Sequence, residues 1–195
     1  RSYFDRHNKR LKKTKTALDS MPRVVLVRGL GLFGFGDSIG TASIAADLAE
    51  NTISVVSASE RLGKFESISE SDVFDIEYWS LEQAKLGRGT APLLAGQVVA
   101  ITGGAGAIGS ATATAFRLKG AEVVLLDVDR REVVKVASRI GGLGVCCDVT
   151  QCDQVESAFE HICETYGGVD ILVSNAGKAW EGKIGEVADE VLRET

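Results

Sequence analysis

Three glycines and a carboxylate carry the chemistry this sequence can do. Gly104, Gly106 and Gly109 spell GxGxxG. At that spacing one glycine turns the chain, one lets backbone approach a pyrophosphate, and one lets a helix pack closely on a strand. Asp127 follows eighteen positions after Gly109, where a carboxylate can accept hydrogen bonds from ribose hydroxyls. A phosphate cradle followed by a ribose acceptor predicts a dinucleotide ligand. Glycine makes up 22 of the 195 residues, so spacing alone proves little and the flanking elements must decide.

Those elements fit. Val98, Val99, Ala100 and Ile101 read as a short buried strand running into TGGAG, which neither helix nor strand can absorb. Residues 108–119 are Ala-rich with helical apolar spacing, and Gly120 stands where a C-cap belongs. The N-terminus of that helix, with its unpaired N–H groups, would meet the phosphates. Residues 121–126 form a second strand ending on Asp127. Next come a helix over 131–140 with Val133, Val134 and Val136 inward, a Gly141-Gly142 stop, and a third strand over 145–147. Thr150 then caps a helix to about Tyr166, and residues 169–173 make a fourth strand. Strands alternating with helices imply an α/β parallel sheet covered on both faces, with right-handed crossovers.

With Thr102 and Gly103 ahead of the glycines, Asp148-Val149 after the third strand and Asn175-Ala176-Gly177 after the fourth, the sequence resembles the short-chain dehydrogenase/reductases. The resemblance implies a Rossmann-type doubly wound sheet, partial here, in the order 3-2-1-4, with three further family strands beyond Thr195. It assigns the cofactor to Thr102, Gly103, Gly104, Gly106, Ala107, Ile108, Gly109, Asp127, Asp148, Val149, Asn175, Ala176 and Gly177. TGGAGAIG fits the TGxxGxxG of the extended, sugar-nucleotide branch, since Ala107 replaces the middle glycine of the classical TGxxxGxG. CDVT and VSNAG, with Ser174 in place of the first Asn, resemble the classical branch instead. NAD is expected over NADP because the Asp127 carboxylate would repel a 2′-phosphate, although Arg130 and Arg131 soften that repulsion.

The family moves its proton with Tyr and Lys at YxxxK. Tyr3, Tyr78 and Tyr166 are followed four positions later by His7, Glu82 and Asp170, so the motif is absent and no catalytic residue is assigned. The expectation is the cofactor-binding piece of a longer oxidoreductase that acts on a small alcohol or sugar-derived substrate, inactive by itself. Two alternatives stand beside it: a fragment of an extended-branch epimerase or dehydratase, and a non-catalytic nucleotide-binding or assembly module.

A second GxGxxG, Gly29 to Gly34, follows a strand over 23–27. No clear strand with a terminal acid comes after it, and residues 39–48 continue through 57–62 in a way compatible with one long helix. Leu30, Leu32 and Phe33 are bulky where a cofactor site keeps small residues. A structural turn or phosphate-tolerant loop is expected. Residues 69–86 read as one helical stretch with Val73, Ile76, Trp79 and Leu86 among its apolar positions, and Tyr78 and Trp79 as core aromatics. RVVLVRGLGLFGFG, AADLAE and FDIEYWSLEQAKL resemble the segment joining aldolase to dehydrogenase in bifunctional rhamnulose-phosphate aldolase/alcohol dehydrogenases. The predicted organisation is a basic lead-in over 1–22, this smaller α/β or mostly helical segment over 23–86, a linker over 87–92, and the truncated dehydrogenase domain over 93–195. The aldolase catalytic part would precede Arg1.

Charge and cysteine narrow the partners. Residues 1–28 hold nine Lys/Arg against Asp5 and Asp19, a local +7 within a net −5. The basic run at 9–15 has no aromatic platform and an acidic body behind it, so a solvated face is expected and no nucleic-acid partner. Cys146, Cys147, Cys152 and Cys163 form no CxxC, and only His7 and His161 accompany them; no metal is expected, and Cys146 and Cys147 should pack as small buried hydrophobes. No apolar run reaches membrane-spanning length. A cytoplasmic homo-oligomer is expected, with N-terminal residues or another chain covering the outer edge of the strand at 171–173.

Overall fold

In the computed structural model, which describes residues 2–10, 14–85 and 92–178, the chain divides into two units. Among these residues one unit comprises 2–10, 14–36 and 40–85, the other 37–39 and 92–178.

In the first unit, α1 (Ser2–Asn8) is held on α3 (Glu70–Glu77) by aromatic packing and ion pairs. Phe74 is fully buried; His7 stacks on it with centroids 5.3 Å apart, and Phe4 lies 5.2 Å from Tyr78. Arg6 pairs with Glu70 at 3.0 Å and Arg10 with Asp75 at 2.7 Å. Gln83, on α4 (Ser80–Lys85), accepts the Thr16 N–H and donates to the Thr16 carbonyl. Ser69 caps α3 by accepting the Asp72 N–H. The single helix expected over 69–86 is broken at Tyr78, whose N–H closes on the Phe74 carbonyl. That break sorts the two aromatics: Tyr78 is buried, whereas Trp79 is 50% exposed and Ile76 points to solvent. Leu86 and the linker at 87–91 lie outside the described residues.

Between these helices the chain forms an antiparallel hairpin, β1 (Val24–Val27) with β2 (Gly31–Gly34), and then α2 (Ile39–Leu62). α2 is one helix of 24 residues, so Ile53 to Val56 are helical. A Cβ on Gly34 would run into the Ala42 carbonyl and Ala46; glycine therefore lets the hairpin lie close on α2.

The second unit is built on β3 (Val98–Thr102), β4 (Glu122–Asp127), β5 (Leu143–Cys146) and β6 (Ile171–Val173), all parallel in the order β5-β4-β3-β6. Numbered from β3, that is the order 3-2-1-4 of a doubly wound sheet. α5 (Ala107–Leu118) and α6 (Arg130–Ile140) link β3, β4 and β5, and α7 (Cys152–Tyr166) links β5 to β6. Alternation along the strands sends Val99, Ile101, Val123 and Leu125 into one core with Ala113, Val133, Val136 and Ala137. Val98, Ala100, Val124 and Leu126 enter a second core with Cys147, Ala158 and Ile162. Glu122 is buried and pairs with Arg117 at 2.7 Å, which satisfies an otherwise costly carboxylate.

Several local expectations change. Val134 is 49% exposed and Ala137 takes its inward place, because 133, 136 and 137 share a face at 3.6 residues per turn. Cys146 is exposed because it lies on the face opposite Val145 and Cys147, which pack into the second core; Cys147 is the buried thiol. Thr150 does not cap α7: Gln151 holds the cap position without a side-chain bond. Among the described residues β6 pairs with β3 alone, and β1 and β2 form a sheet of their own.

Candidate dinucleotide site

The C-terminal ends of parallel strands face a crevice into which their connecting loops open. Thr102 ends β3 there, and Gly103 takes a left-handed turn at φ +63°, so the residue that needs glycine's freedom precedes the GxGxxG. Two fingerprint glycines are required by close approach. A Cβ on Gly109 would overlap the Gly103 carbonyl oxygen, and one on Gly104 would lie 2.7 Å from Leu125 Cβ. A Cβ on Gly106 would make a tight contact of 3.3 Å with the Gly103 carbonyl oxygen, and this glycine is the N-cap of α5 with no side chain to bond the first-turn amides. Those amides and the positive end of the helix dipole are therefore offered to an anionic ligand. Ala107 opens the helix and Ile108 is 74% exposed beside it.

Strand ends on both sides brace this loop. From β4, one Asp127 carboxylate oxygen accepts the Ala105 N–H at 3.0 Å and the other accepts the Asp129 N–H at 3.2 Å. From the β6 side, Asn175 donates to the Thr102 and Gly103 carbonyls at 2.9 and 3.2 Å. The Thr102 hydroxyl accepts the N–H groups of Asn175 and Ala176 at 2.9 and 3.0 Å. Asn175 thus shapes the loop, and Gly177 follows with open space at its Cα.

Beyond β5, Asp148 accepts from the Thr150 N–H at 2.9 Å and the Thr150 hydroxyl at 2.7 Å, while its own N–H donates to Gln154. The Thr150 bonds, with the Lys178 charge nearby, hold the Asp148 carboxyl below its ordinary value. Val149 is 44% exposed at the same strand end. Burial, and then the Asp148 charge, push the adjacent Cys147 thiol up. A cavity of about 430 Å³ opens beside β5 between α6 and α7, lined by Arg130, Val145, Cys146, Gln154 and His161 but by no residue of the glycine loop.

Thr102, Gly103, Gly104, Gly106, Ala107, Ile108, Gly109, Asp127, Asn175, Ala176 and Gly177 therefore lie at or beside one loop, on the ends of β3, β4 and β6, and Asp148 and Val149 follow β5 at the same edge. Sequence reasoning did not select Ala105, whose amide is the contact Asp127 makes, or Leu125, which closes on Gly104. Thr150 instead serves Asp148, since Asp-x-Thr is the spacing at which an Asp side chain accepts from the residue two positions on. Residues 29–34 form no comparable loop, since Gly31 and Gly34 sit inside β2. Among the described residues no three His, Cys, Asp or Glu side chains gather as a metal cluster, and no helix is long and apolar enough to cross a membrane.

Comparison with known proteins agrees with the division of the chain. Residues 1–86 match the family model described as aldolase class II, second domain. An oxidoreductase of Bacillus subtilis, YuxG, named as uncharacterized, is 35% identical over 178 residues, which are 87% of this chain and 26% of that protein. The (-)-isopiperitenol/(-)-carveol dehydrogenase of Mentha piperita is 44% identical over 90 residues, 44% of this chain and 34% of that one. A 3-ketoacyl-(acyl-carrier-protein) reductase from Brucella melitensis, solved with NADH, aligns at 34% identity and a TM-score of 0.48, covering 50% of this chain and 41% of its own. The chain thus spans about a quarter to a third of the curated relatives named here. Residues 97–195 match the short chain dehydrogenase model, and with a parallel sheet ordered 3-2-1-4 around a braced glycine loop, this chain belongs to the short-chain dehydrogenase family, in an aldolase/dehydrogenase arrangement.

Proposed function

We propose that this chain is the NAD-binding portion of an alcohol- or sugar-type short-chain oxidoreductase, the dehydrogenase half of a bifunctional sugar-phosphate aldolase, and that by itself it turns nothing over. The observation that carries this reading is the loop 103–106, fixed between Asp127 and Asn175 and opening on the uncapped first turn of α5. A pyrophosphate fits that turn, and an adenosine ribose fits beside Asp127, whose two oxygens retain lone pairs after accepting one N–H each. Asp148 and Val149 complete the adenosine side, and Asn175, Ala176 and Gly177 begin the nicotinamide side. The bound cofactor would supply hydride chemistry.

The tyrosines support the reading of catalytic incompleteness. Tyr3 donates to Glu77 and Tyr78 is buried in the first unit. Tyr166 ends α7, at the sheet edge opposite the glycine loop, where burial and then the Glu122 carboxylate push its pKa up. Tyr166, the one tyrosine of the sheet unit, thus lies away from the strand ends where a substrate oxygen would be, and general acid–base help is worth about a hundred- to ten-thousandfold. A homo-oligomer in the cytoplasm is the setting this reading implies.

Calorimetric titration with NAD and NADP tests the assignment. NAD should bind, at best weakly, and more tightly than NADP. Tighter NADP binding overturns the cofactor choice, and NADH formation with any alcohol above a heat-treated control overturns the incompleteness.

A further inference from the structure

We propose that Asp127 is a positioning residue for the phosphate loop, so that cofactor choice and loop order depend on the same carboxylate. Three consecutive amides shape the loop. Gly104 N–H donates to the Leu126 carbonyl at 3.1 Å and Gly106 N–H to the Gly103 carbonyl at 3.2 Å. Between them, Ala105 N–H donates to an Asp127 oxygen at 3.0 Å. Of the three acceptors, this one alone is a side chain. The second Asp127 oxygen takes the Asp129 N–H at 3.2 Å, which ties the loop after β3 to the turn that opens α6.

Asp129 in turn caps α6, its carboxylate accepting the N–H groups of Arg131 and Glu132 at 2.9 and 3.0 Å. Asp127 is therefore the joint between two helix starts, and its bonds brace the cradle from within the chain. Preorganisation of this kind lowers the ordering cost of binding. Removing the carboxylate to admit a 2′-phosphate would free the Ala105 amide, and the resulting loop disorder would be charged against NAD and NADP alike. A carboxamide at 127 can still offer one oxygen to Ala105, whereas a methyl offers none.

The ligand half of this inference rests on the dinucleotide reading of the site; the loop half does not. The experiment separates them in the 195-residue chain. Amide hydrogen exchange at Ala105 is measured without ligand, and calorimetry uses NAD and an NAD analogue lacking the adenosine 2′-hydroxyl. A residue that only read that hydroxyl would leave the analogue's affinity unchanged. In Asp127→Ala, Ala105 exchange should speed by about tenfold and affinity for the deoxy analogue should fall by about tenfold, the scale of one charge-assisted hydrogen bond. Asp127→Asn keeps one acceptor oxygen for Ala105 but sets its NH2 against the Asp129 N–H, so its Ala105 exchange should fall between wild type and Asp127→Ala; Asp127→Ser, too short to reach, should follow Asp127→Ala and stands in for it if the alanine variant fails to fold. Unchanged Ala105 exchange in the alanine or serine variant overturns the proposal, whatever the analogue's affinity does. If the wild type binds neither dinucleotide while Ala105 exchange still depends on residue 127, the positioning role stands and the cofactor reading falls.

Discussion

Residues 29–34 and 104–109 carry the same glycine spacing, and the chain puts it to opposite uses. After β1 the backbone turns through Arg28, Gly29 and Leu30 and returns as β2, with Val27 opposite Gly31 and Val24 opposite Gly34. The glycines of the first copy are spent on a hairpin and on contact with α2. β3 is flanked on both sides by parallel strands, so its chain cannot double back and must leave across the sheet edge into α5. Side-chain bulk separates the copies: Leu32 and Phe33 suit a pleated strand, while Gly103, Gly104, Ala105 and Gly106 do not. A glycine motif thus becomes a phosphate cradle only where the preceding strand has no hairpin partner to return to.

Valine at the last glycine of each copy should give the largest effect. Gly109→Val forces α5 away from the Gly103 carbonyl, and overpacking at such a contact costs about 1–3 kcal/mol. We expect dinucleotide affinity to fall by about a hundredfold, the equivalent of about 2.8 kcal/mol. Gly34→Val meets the Ala42 carbonyl and should cost comparable stability in the first unit with no change in affinity. Calorimetry paired with urea unfolding reads both, and equal affinity losses would abolish the distinction between the copies.

A smaller change is expected from Asn175→Ala, which strips the Thr102 and Gly103 carbonyls of their side-chain donor. Two lost bonds in a half-buried setting should lower the second unit's stability by about 2 kcal/mol. Urea unfolding followed by exchange at β3 amides measures it, and an unchanged midpoint would mean that Asn175 does not brace the loop.

The smallest effect belongs to the first unit, where helix docking rests on ion pairs and a tyrosine. Burial and the Glu77 carboxylate push Tyr3 from 10.0 to about 12. The folded value lies above the unfolded one, so this contribution is fully present below pH 10 and is lost as pH climbs through about 12. Alkaline titration by tyrosine absorbance should show one group ionising near 12, and Tyr3→Phe should remove it while leaving β3 and β4 amides protected. A Tyr3 that ionises near 10 would show that α1 is not docked as described.

The fold of the second unit was legible because each strand is a short apolar run closed by a turn residue, and because Gly141 takes the left-handed cap its position suggests. The structure brings the glycine-loop residues and Asp127 together, as their spacing along one chain implies. What the sequence hid is tertiary. Nothing near Asp127 says that its carboxylate reaches Ala105, twenty-two positions earlier. Pattern also cannot tell Tyr78 from Trp79, since the choice is made where α3 breaks and by the Phe4 and Phe74 rings that cover Tyr78. Nor does the sequence show that Arg6 and Arg10, while still solvated, find acids on α3 more than sixty positions away.

The alternation along β3 has a consequence for how the sheet unit comes apart. Val99 and Ile101 belong to one core and Val98 and Ala100 to the other, so a five-residue strand is common property of both. Neither helical layer can peel off and leave its own half intact, because loosening either side unseats the same backbone. Such a unit should melt in a single cooperative step rather than layer by layer, and the braced loop at the end of β3 should keep its shape until that step arrives.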